Sequence, residues 1–286
     1  FYLYLVTGCN LACRHCWITP TFYKGKPATG DVMDYDLLEQ LIIEGKTMGL
    51  TGAKLTGGEP TLHPRFRDIV DMLTRYGIQF NMETNGTLMT QELAHHLKKN
   101  TNLNFLSVSI DGSSAASHDW FRAVPGSFDA AWRGVDYFVE AGYRPQVIMC
   151  PYEGNYKEID DVVRQAVEHG AGSVKFNPVT SAGRGGAMQK RGETFGSEEI
   201  MKLARYIRGE LQDRTPIPLM IGLPPIFSTI KDLLRMEGIA GSCGIHGILG
   251  LLGSGEMALC GVGRNVPDMV FGVMGRDNLR DVWINN

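Results

Sequence analysis

The sequence lacks the features that mark membrane proteins, secreted proteins and nucleic-acid-binding proteins. No run of about 18 apolar residues occurs, so no segment is predicted to span a membrane, and no signal peptide is evident. Lys and Arg number 28 against 31 Asp and Glu, a formal net charge of −3, and no basic block stands out. Because a protein that contacts many phosphates carries more cationic side chains, we expect neither a nucleic acid nor a membrane as a partner.

Cysteine is sparse, with six residues in 286. A disulfide framework would be denser and would lie in a shorter secreted chain. Three of the six form the spacing C-x3-C-x2-C near the start of the chain, which indicates a metal site in a reducing compartment. We therefore expect the protein to be cytoplasmic.

Internal repeats and low-complexity tracts are absent, and 43% apolar with 21% charged residues is ordinary for a globular protein. The length fits one large domain, or one and a half. Glycine is abundant, at 35 residues, which suits tight loops around a ligand. The chain starts at Phe1 inside a predicted strand, so we expect a natural N-terminus to be missing.

Short β-like runs alternate with amphipathic stretches up to residue 177. Strands are predicted at residues 2–7, 52–56, 79–83, 105–110, 146–149 and 173–177. Helices are predicted at residues 34–48, 65–76, 91–99, 128–141 and 156–169. This repetition predicts an α/β fold, a partial (β/α)6 TIM-like barrel, with an open doubly wound sheet as the alternative. In either fold the chemistry lies at the carboxyl ends of the strands.

The regular alternation fades after residue 177. Residues 181–196 are rich in Gly, Arg and Lys and are predicted to form a mobile loop, followed by a helix over 197–212. Short β-like runs lie near Cys243 and Cys260. We predict a barrel domain at 1–190, a helical bridge at 191–237 and a small C-terminal hairpin and helix module at 238–286.

The clustered cysteines, Cys9, Cys13 and Cys16, follow the first predicted strand. Three thiolates on one loop can hold three irons of a [4Fe–4S] cluster, which leaves the fourth iron free to bind another molecule. A structural zinc, with His15 as the fourth ligand, is the alternative.

Further motifs stand at the ends of later strands, and each taken singly could be a turn or a surface charge. They are Gly57-Gly58-Glu59-Pro60, Thr84-Asn85-Gly86, Ser109-Ile110-Asp111-Gly112 and the segment His118-Asp119, Arg122, Gly126-Ser127-Phe128. Together with the cysteine loop, and in this order, they resemble the radical S-adenosylmethionine (radical SAM) superfamily. The last segment resembles its sulfatase-maturing and peptide-modifying members.

The resemblance implies a cofactor and a reaction. S-adenosylmethionine would bind the open iron, and one electron from the reduced cluster would split it into methionine and a 5′-deoxyadenosyl radical. That radical would abstract a hydrogen atom from a substrate. A reducing electron donor is therefore an expected partner.

The resemblance also assigns roles to residues around the cofactor. Gly57 and Gly58 lack side chains, so their backbone can approach the methionine amino group, and Gly58→Val is expected to weaken cofactor binding while sparing the iron. The other residues assigned to cofactor binding are Glu59 near that amino group, His15 at the adenine, Ser109 and Arg122 at the carboxylate, and Glu83 and Asn85 at the ribose or carboxylate.

The C-terminal cysteines, Cys243 and Cys260, stand in the pattern C-x11-G-x4-C, ahead of a Leu279–Trp283 segment predicted to be helical. This resembles the opening half of the SPASM and twitch modules, which hold auxiliary [4Fe–4S] clusters. Two buried cysteines in a hairpin are the alternative. Since two cysteines do not hold a cube, either further ligands lie outside this sequence or the site is degenerate.

The resemblance to peptide-modifying members points to a peptide or protein side chain as the substrate, which would be crosslinked, epimerised or oxidised. The alternatives are a tetrapyrrole substrate, as in haem-pathway relatives, and a non-catalytic iron–sulfur or zinc module.

One further cysteine, Cys150, closes the fifth predicted strand, where barrel chemistry collects. It is a candidate catalytic residue that could donate a hydrogen atom to a substrate radical, which would make the net reaction an epimerisation. It could also bind substrate, or be an inert buried residue.

Overall fold

The computed structural model describes residues 1–23, 32–223, 227 and 247–285 of the chain. Its strands are β1 (Tyr2–Tyr4), β2 (Gly8–Cys9), β3 (Thr21–Phe22), β4 (Gly52–Thr56), β5 (Gln79–Thr84), β6 (Leu103–Ser109), β7 (Gln146–Met149), β8 (Ser173–Phe176), β9 (Leu219–Ile221), β10 (Gly250–Leu252), β11 (Glu256–Ala258) and β12 (Val270–Val273). Its helices are α1 (Tyr35–Thr47), α2 (Phe66–Arg75), α3 (Gln91–Asn100), α4 (Ala115–Arg122), α5 (Ser127–Glu140), α6 (Ile159–Glu168), α7 (Gly185–Lys190), α8 (Ser197–Tyr206) and α9 (Leu279–Asn285).

A ten-stranded sheet organises the fold, in the order β12-β11-β10-β1-β4-β5-β6-β7-β8-β9. From β10 through β1 to β9 every neighbouring pair is parallel, whereas β10, β11 and β12 pair antiparallel. Helices connect the central parallel strands, as the alternating pattern predicts. The predicted α/β fold with a parallel sheet is confirmed, and within the described residues β12 and β9 are the sheet's two edges.

The helices begin at polar caps and pack their apolar sides on the sheet. Asp34 caps α1 by accepting a hydrogen bond from the Leu37 N–H at 2.9 Å, and Thr90 caps α3 in the same way from Leu93 at 3.2 Å. The sheet's side of the core holds fully buried residues such as Leu55, Met82 and Val108. This packing fixes the carboxyl ends of the strands, where the polar motifs stand.

Several local predictions were wrong. Residues 181–196 contain a helix, α7, whose Met188 is completely buried, so this segment is not simply a loop. The first predicted strand is shorter, ending at Tyr4. Neither α4 nor β9 was predicted, because α4 is only eight residues long and β9 is only three.

The C-terminal hairpin does not stand apart from the sheet. Its strand β10 pairs in parallel with β1, with Tyr2 opposite Gly250 and Tyr4 opposite Leu252. The division into three domains stays a prediction. Among the described residues, no helix has the length and apolar character needed to cross a membrane.

Candidate active site

A cavity of about 390 Å³ opens at the carboxyl ends of the parallel strands. It is lined by residues from the cysteine loop and from the ends of β4, β5, β6, β7 and β8. The predicted site residues that line it are Cys9, Cys13, His15, Cys16, Gly57, Gly58, Glu83, Asn85, Ser109, Arg122 and Cys150. The structure therefore brings together most of the residues predicted from the sequence, and Glu59 and Cys260 lie elsewhere.

The cysteine loop is held at both ends and along its middle. Its ends pair as β2 and β3, and the Glu59 N–H donates to the Gly8 carbonyl at 3.0 Å. In the middle of the loop, the Ala12 and Arg14 N–H groups donate to the last carbonyls of α4, at 3.2 and 2.9 Å. The loop is thus clamped between the Gly57–Pro60 turn and α4.

Burial dominates the chemistry of the first two thiols. It raises the pKa of the Cys9 thiol and of the Cys13 thiol above the ordinary value for cysteine. Each sulfur nevertheless faces N–H donors: Asn85 Nδ2 lies 3.8 Å from Cys9 Sγ, and Arg122 Nη1 lies 3.6 Å from Cys13 Sγ. Buried thiols that face N–H donors suit metal-bound thiolates, because a bound metal deprotonates its cysteine ligands.

The spacing of the sulfurs favours a cluster over zinc. Among the described residues, the three loop sulfurs do not all lie within 4.8 Å of one another. A tetrahedral zinc with Zn–S bonds of about 2.3 Å would hold its sulfurs within roughly 4 Å. The sulfurs are therefore too widely spaced for one tetrahedral zinc, and three thiolates on one loop are the donor set that holds three irons of a [4Fe–4S] cluster.

His15 lies against an aromatic stack and beside a carboxylate. Its ring stacks on Phe121 at a centroid distance of 4.2 Å, and Phe121 stacks on Tyr152 at 4.5 Å. His15 Nε2 lies 3.7 Å from Asp111 Oδ2. Burial, and then the positive charges of Arg122 and Arg184, lower the His15 pKa well below its usual range, so the ring is neutral.

Glu59 is enclosed by hydrogen-bond donors behind the Gly57–Pro60 turn. Its carboxylate is buried and accepts hydrogen bonds from the Thr61 N–H and hydroxyl, the Thr84 hydroxyl and the Asn85 N–H, at 2.7 to 3.2 Å. Burial raises the pKa of this carboxyl group. Glu59 thus joins the Gly57–Pro60 turn to the end of β5 and does not face the cavity.

Glu83 and Asn85 occupy the end of β5, at the cavity. Glu83 pairs with Lys54 at 2.6 Å and accepts a hydrogen bond from Thr56 at 3.2 Å. Asn85 donates to Asn10 Oδ1 at 2.8 Å, in addition to its contact with Cys9. Asn85 therefore links the Thr84-Asn85-Gly86 motif, at the end of β5, to the cysteine loop.

Asp111 stands in the Ser109–Gly112 motif, and its role is visible only in the structure. It is completely buried and forms an ion pair with Arg122, Asp111 Oδ2 lying 2.7 Å from Arg122 Nη2. Its Oδ1 accepts the Cys150 N–H at 2.7 Å. A buried carboxylate of this kind is stable only when it is paired, so Asp111 fixes Arg122 and the end of β7 together. The available signal was an acidic residue one position beyond the predicted strand 105–110.

His118 completes this arrangement, because its Nδ1 accepts the Asp111 N–H at 3.1 Å. Burial, followed by the charge of Arg122, lowers the His118 pKa from 6.5 to about 4. Since the pKa is lowered in the folded state, the neutral ring contributes its full stability above pH 6.5. That contribution is lost as the pH falls toward 4.

This pKa shift predicts an acid-sensitive contribution to stability. Between pH 7 and pH 5, the wild-type free energy of unfolding should fall by about 2 kcal/mol more than that of His118→Asn, whose amide oxygen keeps an acceptor but does not titrate. Urea unfolding at pH 7 and pH 5 measures the free energy of unfolding of each protein. The contributions of titrating groups that both proteins share cancel in the comparison. Parallel curves would contradict a buried neutral His118.

Cys260 lies away from the cavity, just after β11. The turn that follows it contacts the chain on both sides of the three loop cysteines. Arg264 donates to the Thr7 carbonyl at 3.3 Å, and Asn265 donates to the Trp17 carbonyl at 3.1 Å. Cys243 lies outside the described residues. The auxiliary site assigned to these two cysteines stays a prediction.

Comparisons with known proteins agree with this geometry. The model of the radical SAM superfamily matches residues 3–166. The AdoMet-dependent heme synthase of Methanosarcina barkeri is 28% identical over 98% of this chain and 80% of its own length. The subtilosin biosynthesis protein AlbA of Bacillus subtilis is 26% identical over 74% of this chain and 47% of its own length.

A solved structure shows the same fold. Streptococcus suis SuiB, bound to the precursor peptide SuiA, superposes with a TM-score of 0.78 at 17% identity, over 99% of this chain and 63% of SuiB. The chain thus spans less than two thirds of AlbA and of SuiB. The family model covers more than half of the chain, from β1 through β7 and including the cysteine loop, and on this basis the chain belongs to the radical SAM superfamily.

Proposed function

We propose that this radical SAM enzyme modifies a peptide or protein side chain through hydrogen-atom abstraction. Membership of the family implies a [4Fe–4S] cluster and S-adenosylmethionine. The observation that carries the catalytic proposal is the convergence of Cys9, Cys13 and Cys16 on a cavity that also contains Gly57 and Arg122. When bound, the cluster and S-adenosylmethionine supply the 5′-deoxyadenosyl radical.

The chain's own residues bind and orient the cofactor. Arg122 offers a fixed positive charge to the methionyl carboxylate, together with Ser109 from the end of β6. Asp111 holds the Arg122 guanidinium at 2.7 Å, so little ordering is needed when the cofactor binds.

A peptide substrate is supported by the names of relatives. AlbA acts in the biosynthesis of a bacteriocin, and SuiB has been seen with a precursor peptide. We propose the same class of substrate here, with a crosslink, an epimerised residue or an oxidised side chain as the product. A reducing electron donor is the second proposed partner, and a reducing cytoplasm remains the predicted compartment.

A tetrapyrrole is the second candidate substrate. The observation that favours it is the length of the match to the heme synthase, which extends over 98% of this chain. A short Cys- or Gly-rich precursor gene beside this one would favour the peptide.

The proposed activity is tested by anaerobic reconstitution with iron and sulfide, followed by reduction in the presence of S-adenosylmethionine. We expect a brown protein with about four irons at the N-terminal site, and formation of 5′-deoxyadenosine. Iron without 5′-deoxyadenosine would instead support a non-catalytic iron–sulfur module. A colourless protein that holds zinc would support the zinc alternative.

The auxiliary module is a separate proposal. We propose that Cys243 and Cys260 contribute to an auxiliary [4Fe–4S] cluster, supported by their spacing and by the predicted helix that follows, which forms as α9. A Cys243→Ala and Cys260→Ala double variant should then lose iron in excess of four per chain, while the N-terminal site keeps its own. Equal iron in the wild type and the double variant would support the alternative, two cysteines buried in a hairpin.

Cys150 is proposed as a hydrogen-atom donor, with substrate binding and inert packing as the alternatives. Its side chain lines the cavity, and burial, followed by the charge of Asp111, raises its pKa well above the usual value, so the thiol keeps its hydrogen. Transfer of that hydrogen to a substrate radical would leave a thiyl radical on Cys150. One electron from the reducing donor and one proton would restore the thiol.

The donor role predicts that Cys150→Ala uncouples the two halves of the reaction. The variant should still form 5′-deoxyadenosine, but its finished product should fall at least tenfold. Product and 5′-deoxyadenosine are quantified in the same reaction by mass spectrometry. If both form at wild-type rates, Cys150 has no donor role.

A further inference from the structure

Arg184, at the start of α7, sits directly on the cysteine loop. Its backbone N–H donates to the Cys16 carbonyl at 2.9 Å. The preceding Gly183 has a φ of +55°, and a Cβ there would lie 2.4 Å from the Trp17 carbonyl oxygen, so only glycine allows this approach. The position of Arg184 is therefore fixed relative to the three cluster ligands.

The Arg184 guanidinium has a buried edge without a partner. Its Nε and Nη2 atoms are inaccessible to solvent, and within the described residues neither has a hydrogen-bond acceptor. These two atoms form the side-on edge of the guanidinium, which matches the two oxygens of one carboxylate. A buried donor pair left unsatisfied is costly, so the arrangement points to an absent acceptor.

The contrast with Arg122 shows why this acceptor belongs to a ligand. Arg122 also has a buried Nε without a hydrogen-bond partner, but its charge is paired with that of Asp111. No Asp or Glu of the described chain forms an ion pair with Arg184. Arg184 does not itself line the cavity, but its backbone N–H contacts the carbonyl of Cys16, which does. The unpaired charge thus adjoins the cavity at Cys16.

We infer that the Nε–Nη2 edge of Arg184 binds a carboxylate of the substrate at the Cys16 side of the cavity. The inference rests on the proposed function, because it identifies a feature of the substrate for that same site. The carboxylate belongs either to an acidic residue or C-terminus of a peptide, or to a propionate of a tetrapyrrole. The chemistry recognised at Arg184 is the same in both cases.

The test measures anaerobic binding to the reconstituted holoenzyme with S-adenosylmethionine present. One arm uses iron coproporphyrin III and its tetramethyl ester. The other uses a random decapeptide library, with its carboxylates free or fully amidated. Retention after ultrafiltration is compared for wild type, Arg184→Gln and the control Arg191→Gln, since Arg191 is an exposed arginine paired with Glu193 in the next turn.

We expect wild type and Arg191→Gln to retain the free-carboxylate form at least about tenfold better than its masked form in one arm, and Arg184→Gln to lose that preference. The arm in which this preference appears shows whether the carboxylate belongs to a tetrapyrrole or to a peptide. Equal retention of free and masked forms by wild type in both arms overturns the inference, and so does a preference that survives in Arg184→Gln.

Two further measurements keep the result decisive. S-adenosylmethionine binding is measured without probe, and a loss in Arg184→Gln would assign the edge to the cofactor and overturn the inference. Iron content and circular dichroism report whether Arg184→Gln folds. If it does not fold, the comparison of free and masked probes on wild type still tests whether the site recognises a carboxylate. Absence of 5′-deoxyadenosine from wild type would remove the proposed function, whereas the binding comparison does not depend on turnover.

Discussion

Replacement of Cys9, Cys13 and Cys16 together by alanine is expected to yield a protein that holds no iron at its N-terminal site and forms no detectable 5′-deoxyadenosine. The three sulfurs are the proposed cluster ligands, and two of them are buried, so no water molecule or exposed side chain can take their place. Iron analysis, the visible spectrum and 5′-deoxyadenosine after anaerobic reconstitution measure the result.

The matched control for iron is Cys150→Ala, which removes a cysteine from the same cavity but not from the loop. Its N-terminal iron should equal that of wild type. Retained activity in the triple variant would refute the assignment of the cluster to this loop.

The second large effect is expected from Gly58→Ala. A Cβ on Gly58 would lie 1.7 Å from the Gly8 carbonyl oxygen, which belongs to the backbone directly before Cys9. Because backbone cannot yield as a flexible side chain does, the cysteine loop must move. We expect a loss of about 3 kcal/mol in the free energy of unfolding and a several-fold loss of iron at the N-terminal site.

Gly209→Ala is the control, because a Cβ there meets nothing within 4 Å. It should leave iron content and stability near wild type, and iron retained fully in Gly58→Ala would contradict the clash. The expectation drawn from the sequence differed, since Gly58→Val was expected to weaken cofactor binding and spare the iron. The nearest obstacle to a side chain is the cysteine loop itself.

The strand ends could be predicted from the sequence because their physical signals are local. The runs at 52–56 and 146–149 alternate with amphipathic helices, and they form as β4 and β7 with those same bounds. Polar motifs directly after such runs converge in any parallel sheet, which is why Asn85, Ser109 and Cys150 were found together.

The remaining features depend on contacts between distant segments. The orientation of Glu59 is set by Thr84 and Asn85, which the chain reaches only after another helix and strand. The role of Asp111 depends on Arg122, which lies at the end of α4, a short helix that was not predicted. Likewise, α7 is held by the burial of Met188, which the glycine-rich composition around it conceals.

The pairing of β10 with β1 has a consequence for the order in which the molecule is assembled. Residues 2–4 are synthesised long before residues 250–252, yet these later residues form one of their two neighbouring strands. The Arg264 and Asn265 contacts with Thr7 and Trp17 arrive later still. During translation, the side of β1 that later pairs with β10 therefore remains an open sheet edge beside the cysteine loop. The loop gains its last contacts only after the C-terminal part has left the ribosome.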